Sequence, residues 1–374
     1  MQREWRIDLF RGLALVMIFV NHIPDNPLTA FTTAAYGFSD AAEGFVLMAG
    51  IAAGLVFLKR LDAGGGVAVT AQAWRRAFDL YAAHLLTVLL ACAIVAHAAS
   101  AQGDPRLLGW VNLGPVFDDT AAALVGVVLL GHQPGYLNIL PLYIVFLLLL
   151  PALLPLAAAR PRALLLASGL VWAVANHWNL NLPHYPNEDG WFFNPLAWQF
   201  LFVIGLVIGT RMARGLPVVP RSNTLLALAV GYLLVTLVIS LDEELVWPVL
   251  PLPWFLYGLD KTWLTLPRLL HALALALVLA RLPVAEALAA LDRRGVLVML
   301  GRNALPVFCA GSVLAIGAQV ARFVWEAGVA LEMALVLGGI AIQVALAATL
   351  AWMDRGRKAP ARPKLAEGAA TEGA

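Results

Sequence analysis

Apolar runs long enough to cross a membrane recur along almost the whole chain. A membrane-spanning helix needs about 20 mostly apolar residues, and ten runs approach that length. They predict an all-α, polytopic integral membrane helix bundle with about ten transmembrane helices. The predicted spans are residues 7–23, 38–58, 77–97, 136–157, 162–178, 194–212, 223–241, 262–281, 300–321 and 331–352.

Three other segments are too short or too polar to span. Residues 117–132 predict a surface-lying or re-entrant helix, and residues 284–298 predict an amphipathic helix at the opposite surface. Residues 354–374 carry basic and then acidic residues with few large apolar ones, which predicts a disordered tail. We therefore expect one transmembrane domain over residues 1–353.

The charges between the runs are distributed unevenly, and this orients the bundle. Loops on the cytoplasmic side of a membrane protein are enriched in Lys and Arg. One side of this bundle collects most of the basic residues: Arg3, Arg6, Lys59, Arg60, Arg75, Arg76, Arg160, Arg162, Arg211, Arg214, Arg221, Arg281, Arg293, Arg294 and the basic tail. The opposite side is mainly acidic. Both termini are therefore predicted to be cytoplasmic.

Composition agrees with a membrane protein and excludes other classes. Of the 374 residues, 61% are hydrophobic and 13% are charged, whereas soluble domains have about 25% charged residues. A net charge of +2 is too weak to indicate a nucleic acid partner, and no nucleic-acid-binding motif is present. Cys92 and Cys309 both lie in apolar runs, and the histidines lack the spacing of a metal site, so no metal is expected.

The first apolar run carries an arginine and a histidine on one face. Ten residues lie between Arg11 and His22, so a helix places them about three turns and about 16 Å apart. Ionisable residues are costly in lipid and usually mark function. His22 suits acid/base work near neutral pH, although an interfacial histidine without a role has to be considered. Arg11 suits a phosphorylated ligand on the cytoplasmic side, or an ion pair with Asp8 one turn earlier.

The second run begins with two acids at the predicted depth of His22. Asp40 and Glu43 are one turn apart. Glu43 is the preferred partner for His22, since Asp40 also suits the helix start, where the macrodipole favours a carboxylate. Which of the two assists His22 is open at this stage.

Two further spans carry charges that the function could use. Arg268 and His271 lie one turn apart in the eighth run, where they either pair with a buried acid such as Glu43 or contact substrate. Arg302 begins the ninth run at the depth of Arg11, where it is either a membrane anchor or a second phosphate contact.

Several of these sequence phrases resemble those of a known family. The phrases Arg6-Ile-Asp8-Leu-Phe-Arg11-Gly, Asn21-His22-Ile, Gly37-Phe-Ser39-Asp40-Ala-Ala-Glu43, Asn194-Pro-Leu-Ala-Trp198-Gln199 and Leu300-Gly-Arg302-Asn303 are similar to those of the OpgC family. These are bacterial inner-membrane proteins associated with succinylation of osmoregulated periplasmic glucans and related to the acyltransferase-3 superfamily. The superfamily's Arg-x10-His signature falls on Arg11 and His22.

The resemblance implies an acyltransferase with its two substrates on opposite sides of the membrane. The donor would be an acyl-CoA, succinyl-CoA or acetyl-CoA, with no permanently bound cofactor, and the acceptor would be a periplasmic glucan or other glycan. His22 would be the catalytic acid/base, assisted by Glu43 or Asp40. The donor would contact Arg11, Arg302, Arg75 and Arg76, and the substrate would contact Asn21, Trp198, Gln199, Arg268 and His271.

Outer loops rich in tryptophan offer a second feature for sugar recognition. Trp178, Trp191, Trp247 and Trp254, with nearby Asn and Asp residues, form either a sugar-binding mouth or an ordinary interfacial aromatic belt. No Ser or Cys nucleophile with a base partner is evident from the sequence, which predicts direct acyl transfer.

A second class of function fits the same residues. A transporter or flippase of a glycan or acyl donor, without catalysis, would use Arg11, Asp40, Glu43, Arg268 and His271 as a substrate or proton path. A third alternative, an assembly or sensory subunit, would tolerate substitution of these charges. Release of CoA that depends on an acceptor would distinguish the enzyme from both.

Overall fold

A computed structural model describes residues 4–187, 189–242, 251–325 and 328–358. Helices are the regular structure in these residues, and they contain no strand. The fourteen α-helices, in chain order, are α1 Trp5–Asn21, α2 Ala41–Asp62, α3 Gly66–Gln102, α4 Gly114–Asp118, α5 Thr120–Val128, α6 Ile139–Ala159, α7 Pro161–His177, α8 Pro195–Ala213, α9 Asn223–Leu241, α10 Leu266–Arg281, α11 Val284–Leu291, α12 Val296–Arg302, α13 Ala304–Val324 and α14 Val329–Lys358.

The all-helical membrane architecture is confirmed, and the count of ten spans is not. Seven helices in the described residues are long and apolar enough to cross a membrane, namely α2, α3, α6, α8, α9, α13 and α14. An eighth crossing is added if α10 and α11, which bend by 73° at their junction, act as one broken span. The helices α1 and α7 have 17 residues each, so each is about 25 Å long.

The predicted ninth span divides into two helices. Residues 300–302 belong to α12, and Asn303 separates that helix from α13. The α12 helix packs closely against α1. A Cβ on Gly301 would lie 1.8 Å from the backbone oxygen of Asp8, and one on Gly12 would lie 1.9 Å from that of Leu297. The α12 and α1 backbones therefore touch at glycines.

The helices α2 and α8 also pack backbone to backbone at glycines. Gly50 and Gly54 of α2 face Gly205 and Gly209 of α8, and any Cβ at these four positions would approach the opposite backbone to within 2.1–2.6 Å. Small residues at this spacing let membrane helices pack backbone to backbone. The contact holds the start of α2, with its two acids, in a fixed place.

The predicted minor segments are only partly as expected. Residues 117–132 contain the end of α4 and the whole of α5, and both helices are too short to span. The segment 284–298 contains α11 and the start of α12. The predicted tail begins inside α14, which continues to Lys358, and residues 359–374 lie outside the described residues.

Candidate functional site

His22 lies immediately after the last residue of α1. Its backbone oxygen accepts a hydrogen bond from Gln319 Nε2 of α13 at 2.5 Å. Of the two ring nitrogens, only Nδ1 is both sealed from solvent and without a hydrogen bond in the described structure. The backbone of His22 is thus fixed, while its imidazole makes no hydrogen bond to any residue that the structure describes. We call this level of the bundle the His22 end.

Asn21, predicted to contact substrate, is tied to the chain that follows it. Its Oδ1 accepts a hydrogen bond from Thr32 Oγ1 at 2.8 Å. This bond holds the segment that leads from α1 into α2, so the observed role of Asn21 is to brace the His22 end.

Asp40 and Glu43 close the beginning of α2 as a reciprocal cap. Asp40 Oδ1 accepts from the backbone N–H of Ala42 at 2.8 Å, and Glu43 Oε2 accepts from the backbone N–H of Asp40 at 2.9 Å. The first residues of a helix leave N–H groups without partners. The acids that the sequence singled out therefore satisfy donors at the helix start.

Two cations neutralise these acids and complete a cluster of four charges. Arg268 donates from Nε at 2.9 Å and from Nη2 at 2.6 Å to Glu43 Oε1. Lys261 Nζ lies 2.5 Å from Asp40 Oδ2, and Arg268 Nη2 lies 3.9 Å from the same oxygen. Glu43 has no solvent-exposed side-chain area, whereas Asp40 and Lys261 are 20% and 27% exposed. The open side of the cluster is therefore the side that carries Asp40 and Lys261.

The predicted hydrogen bond between His22 and Glu43 is absent. Both Glu43 oxygens are occupied, one by Arg268 and the other by the helix start. A charge-assisted bond from a guanidinium is stronger than one from a neutral imidazole, so Arg268 takes the carboxylate. Asp40 and Lys261 remain close enough to His22 to act on it electrostatically.

His271 pairs with a serine. Ser39 Oγ and His271 Nδ1 lie 2.7 Å apart, and both residues are almost fully buried. Gly37 has a φ of +142°, and a Cβ there would lie 2.1 Å from His271 Nε2. The turn before α2 thus packs closely against the imidazole of His271. No pattern along the chain indicates this pair, since 232 positions separate its members.

Trp198 and Gln199 hold neighbouring elements together. Trp198 is fully buried and donates from Nε1 to the backbone oxygen of Lys261 at 3.0 Å. Gln199 exchanges hydrogen bonds with Ser168 of α7. Trp198 therefore positions the lysine of the charge cluster, and Gln199 ties α8 to α7.

A second polar group surrounds Asp8 at the other end of α1, which we call the Arg11 end. Asp8 is 3% exposed and lies 3.4 Å from Arg11 Nη1 and 3.7 Å from Arg302 Nε. The Gly12–Gly301 contact brings Arg302 to this place. Arg302 is 54% exposed and Arg11 is 15% exposed, so the group opens to one side through Arg302. Arg302 and Arg11 thus both lie beside Asp8, and their contact with a donor stays a prediction.

Arg75 and Arg76 differ in their relation to this group. The charges of Arg11 and Arg76 both act on Tyr143 of α6. This shared neighbour indicates that Arg76 of α3 lies near the Arg11 end. Arg75 is exposed and has no ion pair or hydrogen bond within the described residues. Tyr143 does not stand out in the sequence, because an isolated tyrosine in an apolar run is an ordinary packing residue.

The loops at the His22 end contain most of the tryptophans predicted to form a sugar-binding mouth. Trp191 is buried and donates to the backbone oxygen of Pro183, whereas Trp178 is 62% exposed. A hollow of about 240 Å³ lies beside Trp191 and Tyr185. Trp247 lies outside the described residues.

Two residues at the His22 end are not predicted by the sequence analysis. Lys261 is not singled out by any sequence pattern, yet it pairs with Asp40 and lies over the Phe192 and Phe193 rings at 5.8 and 5.5 Å. The ring of Tyr136 contacts the His22 ring with a centroid distance of 4.7 Å. The spacing of Tyr136 in its loop gives no signal for this contact.

Comparison with known proteins identifies the family. The family model described as OpgC protein matches residues 3–355. The chain belongs to the OpgC family. Membership of the OpgC family suggests a transferase that modifies glucans. No curated protein and no solved structure matches the chain.

Proposed function

We propose that this OpgC-family protein is an integral membrane O-acyltransferase. It takes an acyl group, succinyl or similar, from an acyl-CoA at the Arg11 end and transfers it to a hydroxyl of a glucan or other glycan at the His22 end. The observation that carries the proposal is the arrangement along α1. An imidazole without a polar partner lies at one end of this helix, and an arginine group lies about 16 Å away at the other.

His22 acts as the general base in this reaction. Its free ring nitrogen takes the proton of the glycan hydroxyl as that oxygen attacks the thioester carbonyl carbon. The carbon–sulfur bond then breaks, and the departing CoA sulfur takes the proton back from His22. Two nearby charges act on the ring: that of Lys261 favours the neutral imidazole that can accept a proton, and that of Asp40 favours the imidazolium formed in between.

The arginines at the Arg11 end bind the donor. Arg302, with half of its side chain exposed, is suited to contact a phosphate, and Arg11 and Arg76 extend the positive surface toward α3. Guanidinium groups bind phosphates through two parallel hydrogen bonds. Arg75 lies beside them on the exposed face of α3 and contributes at longer range.

Direct transfer remains the preferred route. Ser39 comes within hydrogen-bond distance of a histidine, but Ser39 and His271 are both almost fully buried, and His271 Nε2 faces the backbone of Gly37. An incoming thioester would have to displace this turn to reach Ser39 Oγ. We therefore assign the pair to holding the start of α2.

The proposed location is the bacterial inner membrane, with the Arg11 end cytoplasmic and the His22 end periplasmic. This orientation rests on the distribution of basic residues between the loops. It places acyl-CoA in the compartment that makes it and the glycan in the periplasm.

Mass spectrometry of periplasmic and lipid-linked glycans tests the proposal. A strain that lacks the protein is complemented with the wild type, His22→Ala, His22→Gln or His177→Ala, the last being an exposed histidine that serves as control. Loss of a general base costs about 10²–10⁴-fold in rate, so both His22 variants should lose the acyl mass and His177→Ala should keep it. A His22→Ala protein that inserts normally and still acylates glycans would defeat the proposal. A fall in glycan amount with unchanged acylation would instead support the transporter alternative.

A further inference from the structure

Tyr136 makes the aromatic contact to the His22 imidazole. The two ring centroids lie 4.7 Å apart, and the ring planes are tilted by 53°. Since the imidazole makes no hydrogen bond in the described structure and its Nδ1 is sealed, polar partners do not set the plane of the ring. Packing has to set it, and Tyr136 supplies a broad rigid surface for that purpose.

The backbone of Tyr136 adopts a conformation that favours glycine. Its φ is +68°, in the left-handed region that residues with a side chain rarely occupy. Such a conformation persists only where the surrounding structure enforces it, and strained residues cluster at functional sites. The chain therefore tolerates strain at the residue whose ring touches His22.

Contacts that do not involve α1 hold the Tyr136 loop in place. Gly135 N–H donates to the backbone oxygen of Val111 at 2.6 Å, and Gln133 N–H donates to His184 Nε2 at 2.9 Å. His184 is fixed in turn by Asp189, 2.9 Å from its Nδ1. The position of the Tyr136 ring is thus set by three outer loops.

A further histidine reinforces the same loop. The His132 ring stacks on the His184 ring at 5.4 Å with only 7° between their planes. His132 is fully buried. The loop is therefore anchored on both sides of Gln133, three residues before Tyr136.

We propose that Tyr136 is a positioning residue for His22. Its ring holds the imidazole in the plane that presents the free nitrogen to the acceptor, and its π-face favours the imidazolium formed when the hydroxyl proton is taken. Aromatic rings attract cations that lie within about 6 Å of their centre. This role rests on the proposed acyl transfer, and it requires the ring of Tyr136 and not its hydroxyl.

The first test compares Tyr136→Phe with Tyr136→Leu in purified full-length protein supplied with succinyl-CoA and glucan. Tyr136→Phe should retain kcat within about twofold. Tyr136→Leu should lose about tenfold or more in kcat, with KM for the acyl-CoA little changed, because the donor binds at the other end of α1. Phe31→Leu, a change of an exposed aromatic residue at the same level, serves as the matched control and should leave both constants unchanged.

A second measurement does not depend on acyl transfer. Diethyl pyrocarbonate modifies accessible imidazole nitrogens, and mass spectrometry gives its rate at the His22 peptide. The rate should rise at least threefold in Tyr136→Leu and stay at the wild-type value in Tyr136→Phe and Phe31→Leu. If wild-type protein releases no CoA, the proposed function fails, whereas the modification rates still decide whether Tyr136 holds the ring.

Three results would overturn the role of Tyr136. Equal modification rates in all variants would show that the ring does not hold His22. Loss of kcat in Tyr136→Phe as large as in Tyr136→Leu would assign the effect to the hydroxyl. A rise in KM for acyl-CoA with unchanged kcat in Tyr136→Leu would place the effect in donor binding.

Discussion

The pair formed by Glu43 and Arg268 allows the most quantitative prediction. Glu43 is fully buried and accepts two hydrogen bonds from Arg268, which is 12% exposed. The change Glu43→Gln keeps the shape of the side chain and removes its charge. Asp40, at 3.9 Å, is then the one carboxylate left beside Arg268 in the described structure, and it is already bound to Lys261.

The expected cost is large because a buried charge loses its partner. Removing one member of a buried ion pair typically costs about 3–5 kcal/mol, and the slight exposure of Arg268 places this case near about 3 kcal/mol. The matched control is Glu286→Gln, which breaks the contact between Glu286 and Arg6. Both of these side chains are about half exposed, so the loss should stay below about 1 kcal/mol.

Equilibrium unfolding in mixed micelles, followed by helical circular dichroism, measures both losses. The double variant Glu43→Gln with Arg268→Met completes the cycle. It should be less destabilised than the sum of the two single variants by about 2 kcal/mol, because neither charge is then left alone. A loss below about 1 kcal/mol for Glu43→Gln, or additive losses in the cycle, would refute the reasoning.

Two further predictions concern the two ends of the bundle. In Gly301→Ala the new Cβ would lie 1.8 Å from the Asp8 backbone oxygen, so α12 must move away from α1 and Arg302 must move away from Asp8. We therefore expect a several-fold rise in KM for acyl-CoA. The control Gly317→Ala, where a Cβ meets nothing within 4 Å, should leave KM unchanged. At the other end, burial and the neighbouring His184 lower the pKa of His132 to about 4 from its ordinary 6.5. The His132 imidazole is therefore protonated more readily in the unfolded chain than in the folded protein. The stability that His132 contributes is complete above about pH 6.5 and is lost as the pH falls toward 4. The fall in melting temperature between pH 7 and pH 4.5 should therefore be smaller in His132→Phe than in the wild type, and an equal or larger fall would contradict the prediction.

The sequence is most informative where a single helix carries the information. The Arg11–His22 spacing is local, so the 3.6-residue period alone places the two residues on one face and at its opposite ends. The two acids at the start of α2 are visible as charges in an apolar run. Their role as a reciprocal cap follows from the spacing of three residues.

Contacts between distant parts of the chain cannot be predicted in this way. Arg268 and Glu43 are 225 positions apart. The sequence therefore predicts a buried ion pair only as one of two alternatives, the other being contact with substrate. The preference for Glu43 as the partner of His22 overlooks the competition from that guanidinium. Similarly, Gly12 and Gly301 look like ordinary membrane glycines until the backbones of α1 and α12 are seen to touch.

The predicted count of ten spans is not confirmed, for a related reason. Hydropathy describes how apolar a run is and not where its helix bends. The predicted spans 7–23, 162–178 and 262–281 fall on α1, α7 and α10, which have 17, 17 and 16 residues, and the chain turns by 73° between α10 and α11. Where a helix ends or bends also depends on packing against distant parts of the chain, which single-sequence periodicity does not contain.

Transfer across a sealed membrane tests the central claim most directly. Purified protein is reconstituted into vesicles that hold glucan inside, and succinyl-CoA is added only outside. Our account predicts that the enclosed glucan gains the acyl group while free CoA appears outside, and that vesicles with His22→Ala show neither. In a parallel sample, glucan is also added outside with the succinyl-CoA. If only this outer glucan is acylated and the enclosed glucan is not, the result would contradict a site that extends across the membrane from Arg11 to His22.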